Sequence, residues 1–327
     1  MRAVVITEPG GPDVLKIQEV PDPVPGPDDV LVDVKASALN RADTLQRQGG
    51  YPAPPGSPDD ILGLEFSGVV LETGENVTDL QEGDRVFGLL GGGGYASRVV
   101  THSRMAMRIP DKLDFVQAAA VPEVFFTAYD ALFNHCELAM GESVLIHAAG
   151  SGVGTAAVQL AHNTGAFVFG TAGSEDKLQG AAELGMDVGI NYREQDFAEV
   201  VRQHTGNAGV NVLLDVIGAD YWERNLASMA LRGRLVLVGT MGGGGIEADL
   251  RPLMFKRLRI TGTVLRSRPI EEKIAVANQI KRHVLPLIAS GVIKPVVDTV
   301  YPLAEAADAH RHMESNANFG KIVLSVD

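Results

Sequence analysis

The chain is poor in cysteine, in basic residues and in long apolar runs, and each shortage excludes something. Its only cysteine, Cys136, leaves no internal disulfide and no multi-cysteine zinc lobe. No stretch approaches the ~18 consecutive apolar residues that span a bilayer. The opening residues carry Arg2, Glu8, Asp13, Lys16 and Glu19, so no secretory signal is read and a cytoplasmic home is expected. Lys and Arg number 28 against 41 Asp and Glu, a formal net charge of −13, which argues against nucleic acid and anionic membrane as partners. There is no Gly-x-Ser-x-Gly elbow, so a hydrolase would lack its nucleophile. The histidines are scattered; the pair His310/His312 falls on an expected surface helix, where i, i+2 residues face apart. Cys136 is expected to pack.

What is present suggests two domains, given 327 residues of ordinary globular composition, 45 % hydrophobic and 21 % charged. Short strands are expected at Arg2–Thr7, Val30–Lys35, Glu65–Leu71, Asp84–Gly88 and Tyr95–Val100, separated by Pro- and Gly-rich turns, as in a compact barrel or sandwich. Helices follow at Asp114–Ala120 and Phe125–Phe133. From there strands at 143–147, 167–172, 187–191, 210–216, 234–239 and 259–264 alternate with helices at 152–164, 175–184, 196–204 and 222–231. That alternation predicts a doubly wound parallel sheet. A helix near 270–290, a strand near 296–300 and a closing strand Lys321–Val326 return to mixed texture. The closing strand is expected to rejoin the first domain, which makes the nucleotide domain an insertion: 125–266 within 1–124 and 267–327. Glycine runs at 91–94 and 242–245 are either flexible loops or places where a ligand meets backbone.

The most informative segment runs from Val144 to Ala161. A short apolar strand enters a turn of small residues, Ala148 to Gly154, and an amphipathic helix follows. Small side chains let a diphosphate approach the backbone, and N–H groups at the helix start favour its charge. The glycines stand at 150, 152 and 154, not in G-x-G-x-x-G spacing, so the turn also reads as a plain strand-to-helix connection. In such folds a carboxylate at the tip of the second strand holds the ribose 2′-hydroxyl of NAD. Here the tip reads Thr171-Ala-Gly-Ser174, Lys177 follows one turn into the next helix, and Tyr192 ends the third strand. The pattern favours NADP, with Lys177 and Tyr192 at its 2′-phosphate. The alternative makes Lys177 a solvated helix residue beside Glu175 and Asp176.

Motifs along the whole chain bear on its family: Ser37-Ala-Leu-Asn-Arg-Ala-Asp43, Gln46-Arg-Gln-Gly49, Ile61-Leu-Gly-Leu-Glu65, His147 through Ala157, Leu265-Arg-Ser-Arg268 and Gly320-Lys-Ile-Val-Leu324. With Thr171–Ser174 they resemble the zeta-crystallin-like quinone oxidoreductases of the medium-chain dehydrogenase/reductase superfamily, in the branch whose animal member is induced by a tumour suppressor. The resemblance implies an α/β protein: a GroES-like, β-rich catalytic domain with an inserted doubly wound Rossmann domain. It also implies NADPH in the cleft between them, and homodimers or homotetramers. The family's diphosphate turn follows A-x-x-G-x-x-G; this chain keeps Ala148 and Gly154 but has Ser151 in the middle, ahead of Gly152 and Val153. By resemblance, Gly173 and Ser174 join Lys177 and Tyr192 around the adenosine phosphate. The nicotinamide side involves Asn40, Thr127, Ile217, Gly239, Met241, Leu265 and Ser267; ordinary loop packing is the other reading of that group. Asn40 and Tyr51 are the expected substrate-binding residues, the ring capping the nicotinamide or a flat acceptor or else covering apolar surface. No catalytic acid or base is assigned.

Zinc-dependent members of that superfamily place a cysteine where this chain has Asn40, a histidine where it has Leu64, and a third ligand near Pro122–Glu123. Leucine cannot ligate and an amide replaces thiolate poorly, so no metal is expected. Without a Lewis acid the chemistry shifts toward acceptors that are already electron-poor. The function expected is zinc-independent, NADPH-dependent hydride transfer to quinones or related conjugated carbonyls. One alternative is an enoyl or enone reductase, with Arg41, Arg47, Arg266 and Arg268 forming a basic path to a carrier's phosphate. Another is a nucleotide-binding redox sensor with little catalysis.

Overall fold

In a computed structural model that describes residues 1–326, the chain divides into two units. One comprises Met1–Phe126 and everything from Leu265 onward; the other is Thr127–Val264. The first segment supplies β1 (Arg2–Ile6), β2 (Leu15–Glu19), β3 (Asp29–Ala38), α1 (Arg41–Arg47), β4 (Glu65–Thr73), β5 (Arg85–Leu89), β6 (Arg98–His102), β7 (Ala106–Arg108), α2 (Phe115–Ala119) and α3 (Pro122–Tyr129). The inserted segment supplies β8 (Ser143–Ile146), α4 (Gly152–Asn163), β9 (Phe167–Ala172), α5 (Glu175–Glu183), β10 (Val188–Asn191), α6 (Phe197–His204), β11 (Val210–Asp215), α7 (Trp222–Ser228), β12 (Met229–Leu237), α8 (Arg251–Lys256) and β13 (Arg259–Gly262). The chain then forms α9 (Ile270–Gln279), α10 (Leu285–Ser290), β14 (Val297–Pro302), α11 (Ala306–Glu314) and β15 (Lys321–Ser325).

In the first unit seven strands make one sheet, ordered β14-β15-β3-β4-β5-β7, with β6 also paired to β3. All its pairs are antiparallel except β14 with β15. β3 is the hub because one whole face of it is apolar and buried, Val30, Val32, Val34, Ala36 and Ala38, while Asp33 and Lys35 on the other face pair with each other near solvent. Around it pack Leu62, Phe66, Tyr95, Ile322 and Leu324. The inserted unit is an all-parallel sheet in the order β10-β9-β8-β11-β12-β13. Its strands carry Leu145, Phe169, Ile190, Leu213 and Leu235 into one core with Phe197 and Leu226. A sheet that starts centrally at β8, runs outward to β10 and then reverses to β11 is the doubly wound arrangement, with ligands expected at the carboxyl ends of the strands where the order reverses. No helix is long and apolar enough to cross a membrane among the described residues.

Three expectations are corrected. The helix foreseen at 222–231 ends at Ser228, and β12 starts at once. Lys256 closes it: Nζ donates to the carbonyl oxygens of Leu226 (2.8 Å), Ala227 (3.0 Å) and Met229 (2.8 Å). The helix foreseen near 270–290 is interrupted by a π-type turn at Ile280–Val284, because Pro286 has no N–H to continue the α ladder. The third concerns His310, which lies on α11 but is fully buried. Nδ1 accepts from Arg47 Nη1 (3.0 Å) and Nε2 meets Tyr95 Oη (3.2 Å). Burial lowers its pKa to about 3, with Arg47 adding to the effect. Cys136 is buried and free, its thiol pushed up to about 12 by burial.

Candidate functional site

The turn after β8 is shaped by two short contacts. Ser151 caps α4, its Oγ accepting from the Gly154 N–H (3.0 Å), which leaves the hydroxyl proton to point elsewhere. A Cβ on Gly154 would lie 2.2 Å from the Ala148 carbonyl oxygen, so only glycine lets the helix press onto the turn. Ala148 itself takes a left-handed backbone, φ 52°. The N–H groups of Gly152 and Val153 open a helix of 12 residues and meet no protein acceptor among the described residues. Small side chains, orphan donors and a spare hydroxyl together suit a diphosphate.

Behind this turn lies a buried network that the sequence did not reveal. His147 Nε2 donates to Asn225 Oδ1 (2.7 Å), and Nδ1 accepts from Thr171 Oγ1 (3.0 Å). The tautomer follows from the next link, since Asn225 uses its amide N–H on Asp215 Oδ2 (2.9 Å). Burial lowers the His147 pKa to about 4, which keeps the ring neutral. Asp215 in turn accepts from the N–H groups of Ile217 (2.7 Å) and Gly218 (3.1 Å). The ends of β8, β9 and β11 are therefore tied through one imidazole and one carboxylate, and the loop carrying Ile217 is fixed.

At the tip of β9, a Cβ on Gly173 would lie 2.6 Å from Tyr192 Oη and 3.2 Å from Arg193 Nε. Ser174 begins α5 without a side-chain cap bond, and Lys177 stands in its first turn, partly exposed. Tyr192 and Arg193 are exposed. The structure thus brings Gly173, Ser174, Lys177 and Tyr192 to one corner and adds Arg193, the residue after Tyr192, which no sequence motif marks. Gly239 follows β12, and the Met241 N–H donates to Val216 O (3.1 Å), so both lie beside Ile217. Thr127 is partly exposed on α3; Leu265 is buried and Ser267 exposed in the segment before α9.

In the first unit Asn40 lies at the centre of a buried charged cluster. Its Nδ2 donates to Glu65 Oε1 (2.8 Å), while Oδ1 accepts from Lys321 Nζ (2.6 Å). Lys321 also reaches Glu65 Oε1 (2.7 Å) and Leu39 O (2.5 Å). The second Glu65 oxygen accepts from the Glu123 N–H (2.8 Å). Asp43 accepts from the N–H groups of Asn40 (2.7 Å) and Gly63 (3.1 Å), and from Tyr95 Oη (3.3 Å). Burial raises the Asp43 pKa to about 6 against those bonds.

Nearby, Tyr51, Arg266 and Glu123 form a second group. The Arg266 guanidinium lies over the Tyr51 ring, 5.2 Å from its centroid. Glu123 carries a carboxyl without a hydrogen bond or ion pair among the described residues. Loss of solvation and the neighbouring Glu65 raise its pKa to about 8, so it is mostly protonated at neutral pH. Of the arginines considered for a basic path, Arg41 is tied to Met313 O (3.1 Å) and Asn316 Oδ1 (2.5 Å). Arg47 is buried against Gly10 O, His310 and Glu314.

The comparisons agree with this architecture. Residues 26–111 match the Alcohol dehydrogenase GroES-like domain, and 152–282 match the Zinc-binding dehydrogenase family. A human quinone oxidoreductase is 34 % identical over 329 aligned positions, covering 99 % of this chain and 97 % of that one. The chain belongs to the medium-chain dehydrogenase/reductases. Two solved structures of this superfamily resemble it throughout. Escherichia coli quinone oxidoreductase complexed with NADPH has 34 % identity and a TM-score of 0.91, covering 99 % and 100 % of the two chains. An NAD-dependent alcohol dehydrogenase has 36 % identity and a TM-score of 0.89, with both chains fully covered.

As a medium-chain dehydrogenase/reductase, the chain can be tested for the zinc that one matching family is named for. The side chains do not fit it. Leu64 offers no ligand atom, Asn40 has both ends of its amide engaged, and an ammonium already lies within hydrogen-bond distance of Asn40 and Glu65. Among the described residues, no three His, Cys, Asp or Glu side chains are grouped to hold a metal.

These ionisations set the response to acid and base. Asp43 and Glu123 hold a proton more tightly folded than unfolded, so each lowers stability as pH rises between its unfolded value and about 6 or about 8. His147 and His310, lowered to about 4 and about 3, hold a proton less tightly and lower stability as pH falls below ~6.5. The two effects oppose one another between roughly pH 4.5 and 6, and above ~6.5 Glu123 is the one that remains. The denaturation midpoint should be level in the first range, decline gently toward pH 8 and decline again below ~4.5. Urea unfolding across that series checks it; a midpoint that climbs from pH 6 to 8 would contradict the Glu123 assignment.

Proposed function

We propose that the protein is a zinc-independent, NADPH-dependent reductase of quinones or related conjugated carbonyls. The observation that carries this is the buried ammonium of Lys321 on Asn40 and Glu65, in a superfamily oxidoreductase whose turn before α4 keeps Ala148 and Gly154. Bound dihydronicotinamide supplies a hydride, and an electron-poor quinone takes it without a Lewis acid. What the chain contributes is position. Gly152, Val153 and Ser151 hold the diphosphate, and Ile217, Gly239 and Met241 in the same unit line the nicotinamide. Tyr51 offers a flat face to the acceptor, and Asn40 keeps its orientation through Lys321 instead of reaching outward.

The test is NADPH oxidation with a panel of quinones and enones, in the presence and absence of a chelator, with elemental analysis of the protein. Turnover of quinones, indifferent to chelator and without stoichiometric zinc, is expected. Reduction of enones alone would transfer the reading to an enone reductase; nucleotide binding without turnover would make it a sensor.

Preference for NADPH over NADH rests on Lys177, Tyr192 and Arg193 around Gly173. Lys177→Glu should raise the KM for NADPH about ten- to a hundredfold, the range of one charge-assisted contact, and leave that for NADH nearly unchanged. Equal losses with both would make the lysine a residue of the fold. We also propose a homodimer. Among the described residues β13 pairs with β12 alone, and Val264, Phe255 and Met254 beside this edge are exposed.

A further inference from the structure

We propose, resting on the reading as a reductase of conjugated carbonyls, that Arg266 holds the acceptor's carbonyl oxygen and stabilises the negative charge it gains on reduction. Arg266 is 5 % exposed. Two of its three nitrogens are fixed: Nε donates to Gly91 O (2.7 Å) and Nη2 to Gln46 Oε1 (2.6 Å). Gln46 is itself anchored, its Nε2 donating to Asp59 O (2.9 Å). Nη1 is buried and has no partner among the described residues. A buried guanidinium ordinarily meets a carboxylate or places every donor, so a held, orphan N–H marks a place for an acceptor atom.

The surroundings select the chemistry of that atom. The Tyr51 ring under the guanidinium suits a flat conjugated molecule. Carboxyl groups face the arginine from several elements: Asp43 on α1, Asp59 in the loop before β4 and Glu123 on α3, while Lys273 on α9 donates to its backbone carbonyl (3.4 Å). The carboxylates among these disfavour a resident phosphate or carboxylate, while Glu123, mostly protonated at neutral pH, adds little charge. A neutral carbonyl is accommodated, and it becomes negative only as reduction proceeds, which is when a preorganised donor has most effect. The electron count closes on the reading above. A C–H bond of the dihydronicotinamide breaks and its electron pair leaves with the hydrogen, so the ring is oxidised and the acceptor reduced. The hydride forms a new bond on the acceptor, the π pair of the conjugated C=O moves to oxygen, and that oxygen, held by Nη1–H, then takes a proton from water.

The test uses 4-nitrophenol as a probe of the oxygen site, its phenolate band read in the intact protein with NADP⁺ bound. In the wild type the bound phenol should ionise at lower pH than in water; in Arg266→Met that shift should vanish. The same variant should lose about ten- to a hundredfold in kcat/KM for naphthoquinone while its NADPH affinity stays unchanged. Arg266→Lys should retain part of the shift. If Met at this position prevents folding, the wild-type titration alone decides: a bound phenol that stays neutral, or no bound phenol, overturns the proposal. A variant that loses only thermal stability, with kcat/KM intact, overturns it too. Should the wild type reduce no quinone yet still show an Arg266-dependent phenolate shift, the reductase reading fails and the oxyanion site stands.

Discussion

Lys321→Met is expected to destabilise the unit that contains it by about 3–5 kcal/mol, because it leaves the Glu65 carboxylate buried without its cation. Lys321 and Glu65 are 3 % and 0 % exposed, so solvent cannot take over the role of the lost ammonium. The damage extends further than one pair. Asn40 loses the donor to its Oδ1 and the Leu39 carbonyl loses a partner, while Glu65 still holds the Glu123 N–H. For a unit of this size the midpoint should fall on the order of 10 °C. A double variant, Lys321→Met with Glu65→Gln, removes both charges and should recover much of the loss. Calorimetry on the three proteins measures this. A single variant with an unchanged midpoint would show that the pair is held loosely and that Asn40 is not oriented by it.

Gly154→Ala should abolish tight nucleotide binding while leaving the Lys321 unit unaffected. The added methyl would meet backbone on every side, 2.2 Å from the Ala148 oxygen and 2.7 Å from the Ala149 Cα, and no rotamer relieves such a contact. The start of α4 must then back away from the turn and carry the Gly152 and Val153 N–H groups with it. Overpacking of this kind costs about 1–3 kcal/mol in stability. NADPH affinity should fall tenfold or more, which corresponds to at least ~1.4 kcal/mol. Titration calorimetry separates the two effects. Unchanged affinity would mean that the diphosphate does not lie on this turn.

The inserted domain was legible because its signals are local. Each of its strands is a short apolar run, each crossover is an amphipathic helix, and the diphosphate turn is contiguous in sequence. The first unit's charged cluster is different in kind. Asn40 and Lys321 are 281 positions apart, and nothing near either one announces the other. A signal did exist in the residues: a lysine opening the otherwise apolar strand Lys321–Ser325 needs a buried anion, and Glu65 opens a strand of similar character. Arg266 as part of a basic path is a reading from charge alone, and sequence does not show that the residue is buried. His310 failed for the same reason, since helical spacing shows which residues share a face but not whether that face is covered. Glu123 reads in the sequence as a candidate ligand position; that its carboxyl has no hydrogen bond among the described residues is visible only in three dimensions.

The position of β15 bears on the order in which the molecule can assemble. β3 pairs with β15, and the cation that neutralises Glu65 arrives on that same strand. During synthesis the chain from β8 to β13 emerges whole and has its own core, so it can become native while the ribosome is still working. The earlier strands have to wait. Until Lys321 has been made, the end of β3 at Ala36–Ala38 has one edge open and a carboxylate in the interior lacks its counter-ion, conditions that favour chaperone capture and mispairing. Translation arrested shortly before β15 should therefore yield a protease-resistant inserted domain flanked by segments that are still digestible.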